Sequence, residues 1–156
     1  HLTFCVEVWG CSHLRHILPP FTKLLKRAVR ILMGADRRAH TLPMFHSLKI
    51  MNITEIYVYF IQLFMYKYSH ALLPDIFNEF FVSNSSVHNY NTRQHSHLHV
   101  PLAKSDVRNR TVRFKGVTVM NRFSSTIEQN CSINVYKIHL KSCILSIDVA
   151  PLVYSL

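Results

Sequence analysis

The sequence predicts a mostly α-helical protein: a small helical bundle, then a long basic arm, a short β-like extended stretch and a C-terminal amphipathic helix. Two observations support this class. Apolar residues recur at helical spacing in several segments, and 49% of the 156 residues are hydrophobic. A chain of this size can bury roughly 70% of its unfolded surface. We therefore expect a folded domain.

Residues 2–9 form a short apolar stretch that fits the last turns of a helix. The clearest helix follows, beginning at Pro19 and Pro20 and ending near Gly34. Proline suits the first turn of a helix, and glycine suits the position after the last. We expect an apolar stripe on this helix to face the core: Phe21, Leu24, Leu25, Ala28, Val29 and Leu32.

A short helix is predicted around Pro43, with Phe45 and Leu48 inward. A longer helix follows, with Asn52 or Thr54 as its N-cap. Its aromatic stripe is expected to be core, because a base-stacking surface needs exposed rings. The stripe consists of Tyr57, Phe60, Ile61, Phe64, Met65 and Tyr68.

Pro74 and Asp75 predict the first turn of another short helix, since proline fits that turn and aspartate favours the positive end of the helix dipole. The apolar side of this helix would be Ile76, Phe77, Phe80 and Phe81. We divide the chain into a helical region (1–82), a basic polar arm (83–111), an extended segment with an amphipathic helix (112–145) and a tail (146–156).

The third segment begins with a β-like pattern around Lys115 and Gly116, formed by Val112, Phe114, Val117 and Val119. The helix after it is capped by Ser132. We expect one of its sides to be buried, formed by Tyr136, Leu140, Cys143 and Ile144, and Lys137 and Lys141 to lie outside.

Positive charge dominates the chain: 18 Lys and Arg face 8 Asp and Glu, a net charge of +10, with 11 His besides. A polyanion such as nucleic acid is the natural partner of such a balance, although an acidic neighbouring domain would also suit it. The first basic cluster lies on and just after the helix from Pro19: Lys23, Lys26, Arg27, Arg30, Arg37 and Arg38. A solvated helix face is the alternative interpretation of these six charges.

Catalytic chemistry is not indicated, and we expect neither cofactor nor metal. The eight carboxylates are well separated, whereas catalysis by a pair of metal ions requires clustered carboxylates. A Pro–Asp pair occurs in some nuclease sites, but Pro74–Asp75 has neither a second carboxylate closely downstream nor Cys or His zinc ligands nearby. His95, His97 and His99 alternate but have no evident fourth ligand, so an exposed arm is favoured over a metal site.

The four cysteines form no CxxC pair and are expected to be reduced thiols of an intracellular protein, nuclear or cytoplasmic. No apolar run reaches the roughly 18 residues of a membrane span, so no membrane partner is expected. The chain also begins in mid-pattern at His1, which we interpret as a cut end.

Four segments stand out in order along the chain: residues 4–10 (FCVEVWG), 25–32 (LKRAVRIL), 40–45 (HTLPMF) and 64–68 (FMYKY). They resemble consecutive motifs of jockey-like non-LTR retrotransposon reverse transcriptases, in the region that follows the catalytic palm. The match spans roughly residues 2–145. The most distinctive piece, residues 87–93 (VHNYNTR), resembles the family's Y-N-T-R signature.

Residues 110–111 (RT) with 114–121 (FKGVTVMN), and then 136–141 (YKIHLK), resemble the closing motifs. The chain departs from the family at Phe4, where tyrosine is usual, and at Met120, where tryptophan usually precedes the asparagine. The paired-aspartate motif of the family belongs upstream of this segment, so the resemblance implies a non-catalytic fragment of an RNA-directed DNA polymerase.

The resemblance also implies a thumb-like role for residues 1–82, whose cations would contact the backbone of RNA or DNA without reading its sequence. We assign this role to the first basic cluster and to a second one on and beside the arm: Arg93, Arg108, Arg110, Arg113 and Lys115. The main alternative is a structural segment that packs on the remainder of the parent polymerase, a degenerate relic with no independent activity. An independent helical DNA-binding protein is less favoured, since no recognition-helix turn is evident between residues 37 and 43.

Overall fold

The computed structural model describes residues 3, 5–9, 18–90, 92–102, 105–123 and 131–147. Residues 4, 10, 91 and 148–156, to which some of the sequence-based predictions refer, lie outside these ranges. Within them the predicted mostly helical class is confirmed. The helices are α1 (Val6–Trp9), α2 (Leu18–Leu32), α3 (Leu42–Ser47), α4 (Ile53–Ser69), α5 (Asn84–Val87), α6 (Asp106–Asn109), α7 (Val112–Phe123) and α8 (Ile133–Ser146).

α4 is the central helix, and α1, α7 and α8 all pack against it. The helix begins at Asn52, the first of the two predicted N-caps. The Asn52 side chain accepts the N–H of Glu55 at 3.0 Å, and the Glu55 carboxylate accepts the N–H of Asn52 at 2.8 Å. As predicted, the aromatic stripe is core: Tyr57, Ile61 and Met65 are fully buried, and Phe60, Phe64 and Tyr68 are half-buried.

α7 corrects the predicted β-like stretch, because residues 112–123 are helical and the described residues contain no strand. A Cβ built on Gly116 would lie 2.7 Å from the Met65 sulfur, so glycine lets α7 approach α4 closely. The neighbouring residues on this side, Val119 and Phe123, are buried as well. Packing against α4 therefore overrides the preference of the valines for extended structure.

Buried polar groups join α4 to α7 and α8. The Gln62 side chain donates to the carbonyl of Val119 on α7 at 3.0 Å and accepts the hydroxyl of Tyr136 on α8 at 3.2 Å. The Tyr136 ring stacks on Tyr66 with centroids 4.3 Å apart. Burial raises the pKa of Tyr136, and the thiols of Cys131 and Cys143 and the Tyr66 hydroxyl add to the effect.

α8 forms where predicted and buries the predicted side: Tyr136, Leu140 and Ile144 are buried, and Cys143 is half-buried. Ser132 occupies the N-cap position, but its side chain makes no capping hydrogen bond. Lys141 is exposed, whereas Lys137 is half-buried. The predicted apolar side of the C-terminal helix is therefore confirmed.

α2 and α3 also form where predicted, but the expected apolar stripe of α2 is only partly covered. Val29 is fully buried, whereas Leu24 is 61% and Leu32 67% exposed. The helix against which α2 mainly packs is the short α3, whose Phe45 is buried. A neighbour of six residues covers one narrow side of α2 and leaves the rest of the stripe in solvent.

The segment predicted to start at Pro74 forms a single 3-10 turn, Asp75–Phe77, rather than an α-helix. Of its expected apolar side, Phe81 is buried, Phe77 is half-buried, and Ile76 and Phe80 are exposed. The Tyr68 hydroxyl donates to the Phe81 carbonyl at 3.1 Å and thereby ties the turn back to α4.

The arm, residues 83–111, is less irregular than predicted, because α5 and α6 lie within it and its first part is closed at the base. Ser83 and Leu98 form an isolated antiparallel bridge. The Asn121 side chain of α7 pairs with the backbone of Leu98 as a neighbouring strand would: it accepts the Leu98 N–H at 3.1 Å and donates to the Leu98 carbonyl at 2.8 Å. We call this pair of hydrogen bonds the Asn121 clamp. Residues 84–97 therefore form a loop with joined ends.

We predict that Gln62→Met destabilises the protein by about 2 kcal/mol, because the Tyr136 hydroxyl loses its buried partner. Tyr136→Phe should cost about 1 kcal/mol, and the double variant should cost less than the sum of the two single changes. Urea unfolding of the four proteins gives the coupling energy. Strict additivity would contradict a direct interaction between these side chains.

Alkaline pH should also destabilise the fold. A tyrosine whose folded pKa lies above its unfolded value of about 10 contributes stability below that pH and loses it as pH rises. The free energy of unfolding should therefore fall above pH 10, and less steeply in Tyr136→Phe. Chemical denaturation at a series of pH values between 8 and 11 would check this, and equal slopes in the two proteins would contradict it.

Asn121→Leu should free the base of the arm, because both hydrogen bonds to Leu98 are lost. We expect trypsin to cut faster after the exposed Arg93, while far-ultraviolet circular dichroism shows unchanged helical content. Asn78→Leu, at an exposed position outside the arm, is the matched control. Equal cleavage rates in both variants would show that Asn121 does not hold the arm.

Candidate nucleic-acid interface

Four cations of the first cluster lie along one face of α2. Successive residues of an α-helix turn by about 100°, so Lys23, Lys26, Arg27 and Arg30 fall within an arc of about 100°. The first three are exposed and Arg30 is half-buried. α2 contains no acidic residue, so no carboxylate of the same helix neutralises this face.

The end of α2 keeps the other two cations beside this face. Gly34, at φ +58°, permits a Schellman turn in which the Ala35 N–H donates to the Arg30 carbonyl at 2.9 Å. The predicted helix end near Gly34 is thus confirmed. Arg30 Nε donates to the Ala39 carbonyl at 3.1 Å and draws the following turn back to the helix.

Within that turn Arg37 and Arg38 are exposed, and the Asp36 carboxylate accepts the backbone N–H of Arg38 at 2.7 Å. The structure therefore brings all six residues of the first cluster to one region. We call them the helix-2 basic surface: Lys23, Lys26, Arg27, Arg30, Arg37 and Arg38.

A recess of about 450 Å³ lies next to the helix-2 basic surface. Lys26 lines it together with His40 and His46, which sequence reasoning did not single out. The N-cap Asn52 and the carboxylate of Glu55 lie in its wall as well. The recess adds polar, partly cationic groups to the side of α2 that meets α3.

The second cluster is not gathered in the same way. Arg93, Arg108 and Arg113 are exposed and Arg110 is half-buried, but Lys115 is only 1% exposed. In the helical α7, Lys115 lies one turn before the buried Val119 and shares its inward side. Its assignment as a surface contact depended on the extended prediction for this segment, and we leave it out of the proposed interface.

Arg108 and Arg113 meet at a cleft that the sequence did not predict. The cleft has a volume of about 710 Å³ and is bounded on one side by Glu7 and Val8 of α1. The guanidinium of Arg113 lies over the ring of Phe80, 5.9 Å from its centroid. We call this site the phenylalanine cleft, after five of its lining residues: Phe64, Phe77, Phe80, Phe81 and Phe114.

Histidines of the arm make contacts within the arm. His99 Nδ1 lies 3.2 Å from the Asn84 side-chain oxygen, and its ring lies 6.0 Å from that of His88. In the described part of the chain, no three His, Cys, Asp or Glu side chains are grouped so that they could hold a metal ion. The same part contains no helix with the length and hydrophobicity needed to cross a membrane.

The described surface therefore offers two kinds of contact. The helix-2 basic surface presents long cationic side chains in the open, which suits the phosphates of an extended polyanion. The phenylalanine cleft combines aromatic rings with two arginines and suits an apolar or planar group with a nearby negative charge. Comparison of the chain with protein-family models, curated proteins and solved structures found no match.

Proposed function

We propose that this chain binds the backbone of RNA or DNA without sequence preference and without catalysis, as a fragment of a non-LTR retrotransposon RNA-directed DNA polymerase. The helix-2 basic surface is the observation that carries the proposal. Four of its cations project from a helix without acidic residues, two more follow in the next turn, and five of the six are exposed. A nuclear or cytoplasmic location follows from such an origin.

Phosphate binding explains this arrangement better than base recognition does. Lysine and arginine side chains on a convex helix reach phosphate oxygens from many angles and so fix position without specifying sequence. Arg30 is the exception, since its Nε is already engaged by the Ala39 carbonyl. It supports Arg37 and Arg38 as much as it supplies a contact of its own.

The resemblance to the polymerase family supports the ancestry in the proposal. The similar segments fall at positions with structural roles: residues 64–68 lie in the central helix, and the asparagine that closes the 114–121 motif is the Asn121 clamp. The arm that this clamp closes carries the residues resembling the Y-N-T-R signature. If this chain and the polymerase family share these motifs, we expect the family to hold the corresponding arm by the same asparagine.

A structural segment that packs on the rest of the parent polymerase is the second candidate, and the uncovered apolar side of α2 favours it. Leu24, Ile31 and Leu32 are each more than 60% exposed on the side of α2 next to the cations. Contiguous exposed apolar residues mark interaction surfaces. In this candidate the basic face would dock on protein rather than on nucleic acid.

Replacement of Lys26, Arg27 and Arg30 by glutamate should separate the two candidates. We expect the parent chain to bind a labelled duplex with a slope of log affinity against log salt of about −5, because about six phosphates are engaged. The triple variant should bind at least tenfold more weakly and show a shallower slope, because the contacts of Lys26 and Arg27 are removed and the turn with Arg37 and Arg38 loses its hydrogen bond from Arg30. Fluorescence anisotropy at 50–200 mM salt measures both quantities.

The matched control replaces three exposed lysines elsewhere, Lys49, Lys67 and Lys141, by glutamate, which changes net charge by the same amount. This control should retain most of the affinity. Equal losses in both triple variants would show that total charge and not the helix-2 basic surface governs binding. Loss of helical content in the first variant alone would instead favour the structural candidate.

A further inference from the structure

The phenylalanine cleft differs from the core in that some of its aromatic surface is open to solvent. Phe80 is 42% exposed, and Val8 and Leu102 at the rim are exposed still further. Edge-to-face contacts of Phe64 with Phe77 and Phe81, with centroids 5.4 and 6.4 Å apart, fix the inner rings. The result is a rigid aromatic wall beside an accessible ring.

We propose that this cleft receives unstacked bases of a single-stranded nucleic acid, while Arg108 and Arg113 hold the adjoining phosphates. The inference rests on the proposed function and narrows it, because it makes single strands the preferred ligand over duplexes. In a duplex each base is covered by its neighbours, so only a strand with free bases can fill a concave aromatic site.

The chemistry of the lining matches this ligand. Phenylalanine rings offer stacking surface without hydrogen-bonding groups, so they accept any base and discriminate little between them. Their planar faces suit a flat aromatic guest. The volume of about 710 Å³ lies within the usual range for small-ligand sites, which leaves room for a base together with its sugar.

Charge around the cleft favours one placement of the phosphates. Arg113 of α7 lies over Phe80, 5.9 Å from its centroid, and Arg108 of α6 lines the same cleft. A base next to Phe80 would therefore have the Arg113 guanidinium close to its phosphate. Glu7 of α1 also lines the cleft and would repel a phosphate placed beside it. We expect the sugar–phosphate chain to pass along the two arginines and away from Glu7.

The test compares three labelled ligands of equal length: a single-stranded oligonucleotide, an abasic strand with the same phosphates, and a duplex. Anisotropy at physiological salt is measured with the whole chain. We expect the normal strand to bind about tenfold tighter than the abasic strand, the effect of one or two stacked bases. Phe80→Ala should remove most of that difference and leave abasic binding unchanged.

Tyr90→Ala is the matched control, because Tyr90 is 78% exposed but does not line the cleft. It should behave like the parent chain. Arg113→Ala should weaken binding to the normal strand through loss of both the phosphate contact and the Phe80 pair. Circular dichroism checks that each variant keeps its helical content, and Phe80→Leu takes the place of Phe80→Ala if that variant loses helical content.

Equal affinity for normal and abasic strands would overturn the inference while leaving backbone binding intact. Absence of binding to all three ligands would overturn the proposed function with it. Another outcome would assign the cleft to an anionic amphiphile instead of a base. In that outcome dodecanoate, a fatty-acid anion, raises the melting temperature of the parent chain but not of Phe80→Ala, and the chain shows no preference for normal over abasic strands. Equal losses in Phe80→Ala and Tyr90→Ala would likewise reject the cleft as the stacking site.

Discussion

The close crossing of α7 over α4 is the constraint on which the rest of the structure depends. Gly116 brings the two helices together at Met65, where any larger residue would meet the buried sulfur. One turn further on, Gln62 reaches the Val119 carbonyl and holds the crossing in register. The first turn of α7 then supplies Arg113 and Phe114 to the phenylalanine cleft, and its last turn supplies Asn121 to the arm. A shift of α7 along α4 would displace both sites together.

The fold separates a tightly packed half from a loosely attached one. α4, α7 and α8 share the core and are joined by the hydrogen bonds of Gln62 to Val119 and Tyr136, whereas α2 has only one fully buried side chain, Val29. An element with few buried contacts opens at low free-energy cost. The helix-2 basic surface therefore stands on the part of the protein that can adjust most easily to an irregular polyanion, whereas the inner rings of the cleft, Phe64 and Phe81, pack with the core.

Sequence periodicity predicted those helices whose apolar residues alone define a face. α4 and α8 are of this kind. The position of α2 along the chain was also predicted, but periodicity could not show that α3 is too short to cover the apolar stripe that contains Leu24 and Leu32. α7 was missed because its inward side includes Gly116 and Lys115, which interrupt the apolar pattern, while its valines favour extended structure. The same error placed Lys115 among the surface cations.

The helix-2 basic surface could be predicted from the sequence and the phenylalanine cleft could not, for a physical reason. Cations spaced three and four residues apart share a helix face by local geometry alone, so the helix-2 basic surface could be predicted before any tertiary contact was known. The cleft joins Glu7, Phe64, Phe80 and Arg113, which only the packing of α1, the 75–77 turn and α7 around α4 brings together.

Under the proposed function, such a division would suit recognition in two steps. Exposed charge acts over about 10 Å and can attract any phosphate chain, whereas stacking acts only in contact and needs a rigid aromatic wall. An aromatic site on the loosely attached helix would have to be ordered for each base that it accepted, at a cost in conformational entropy. In this protein two rings of the cleft, Phe64 and Phe81, already pack with the core that holds α7 in place.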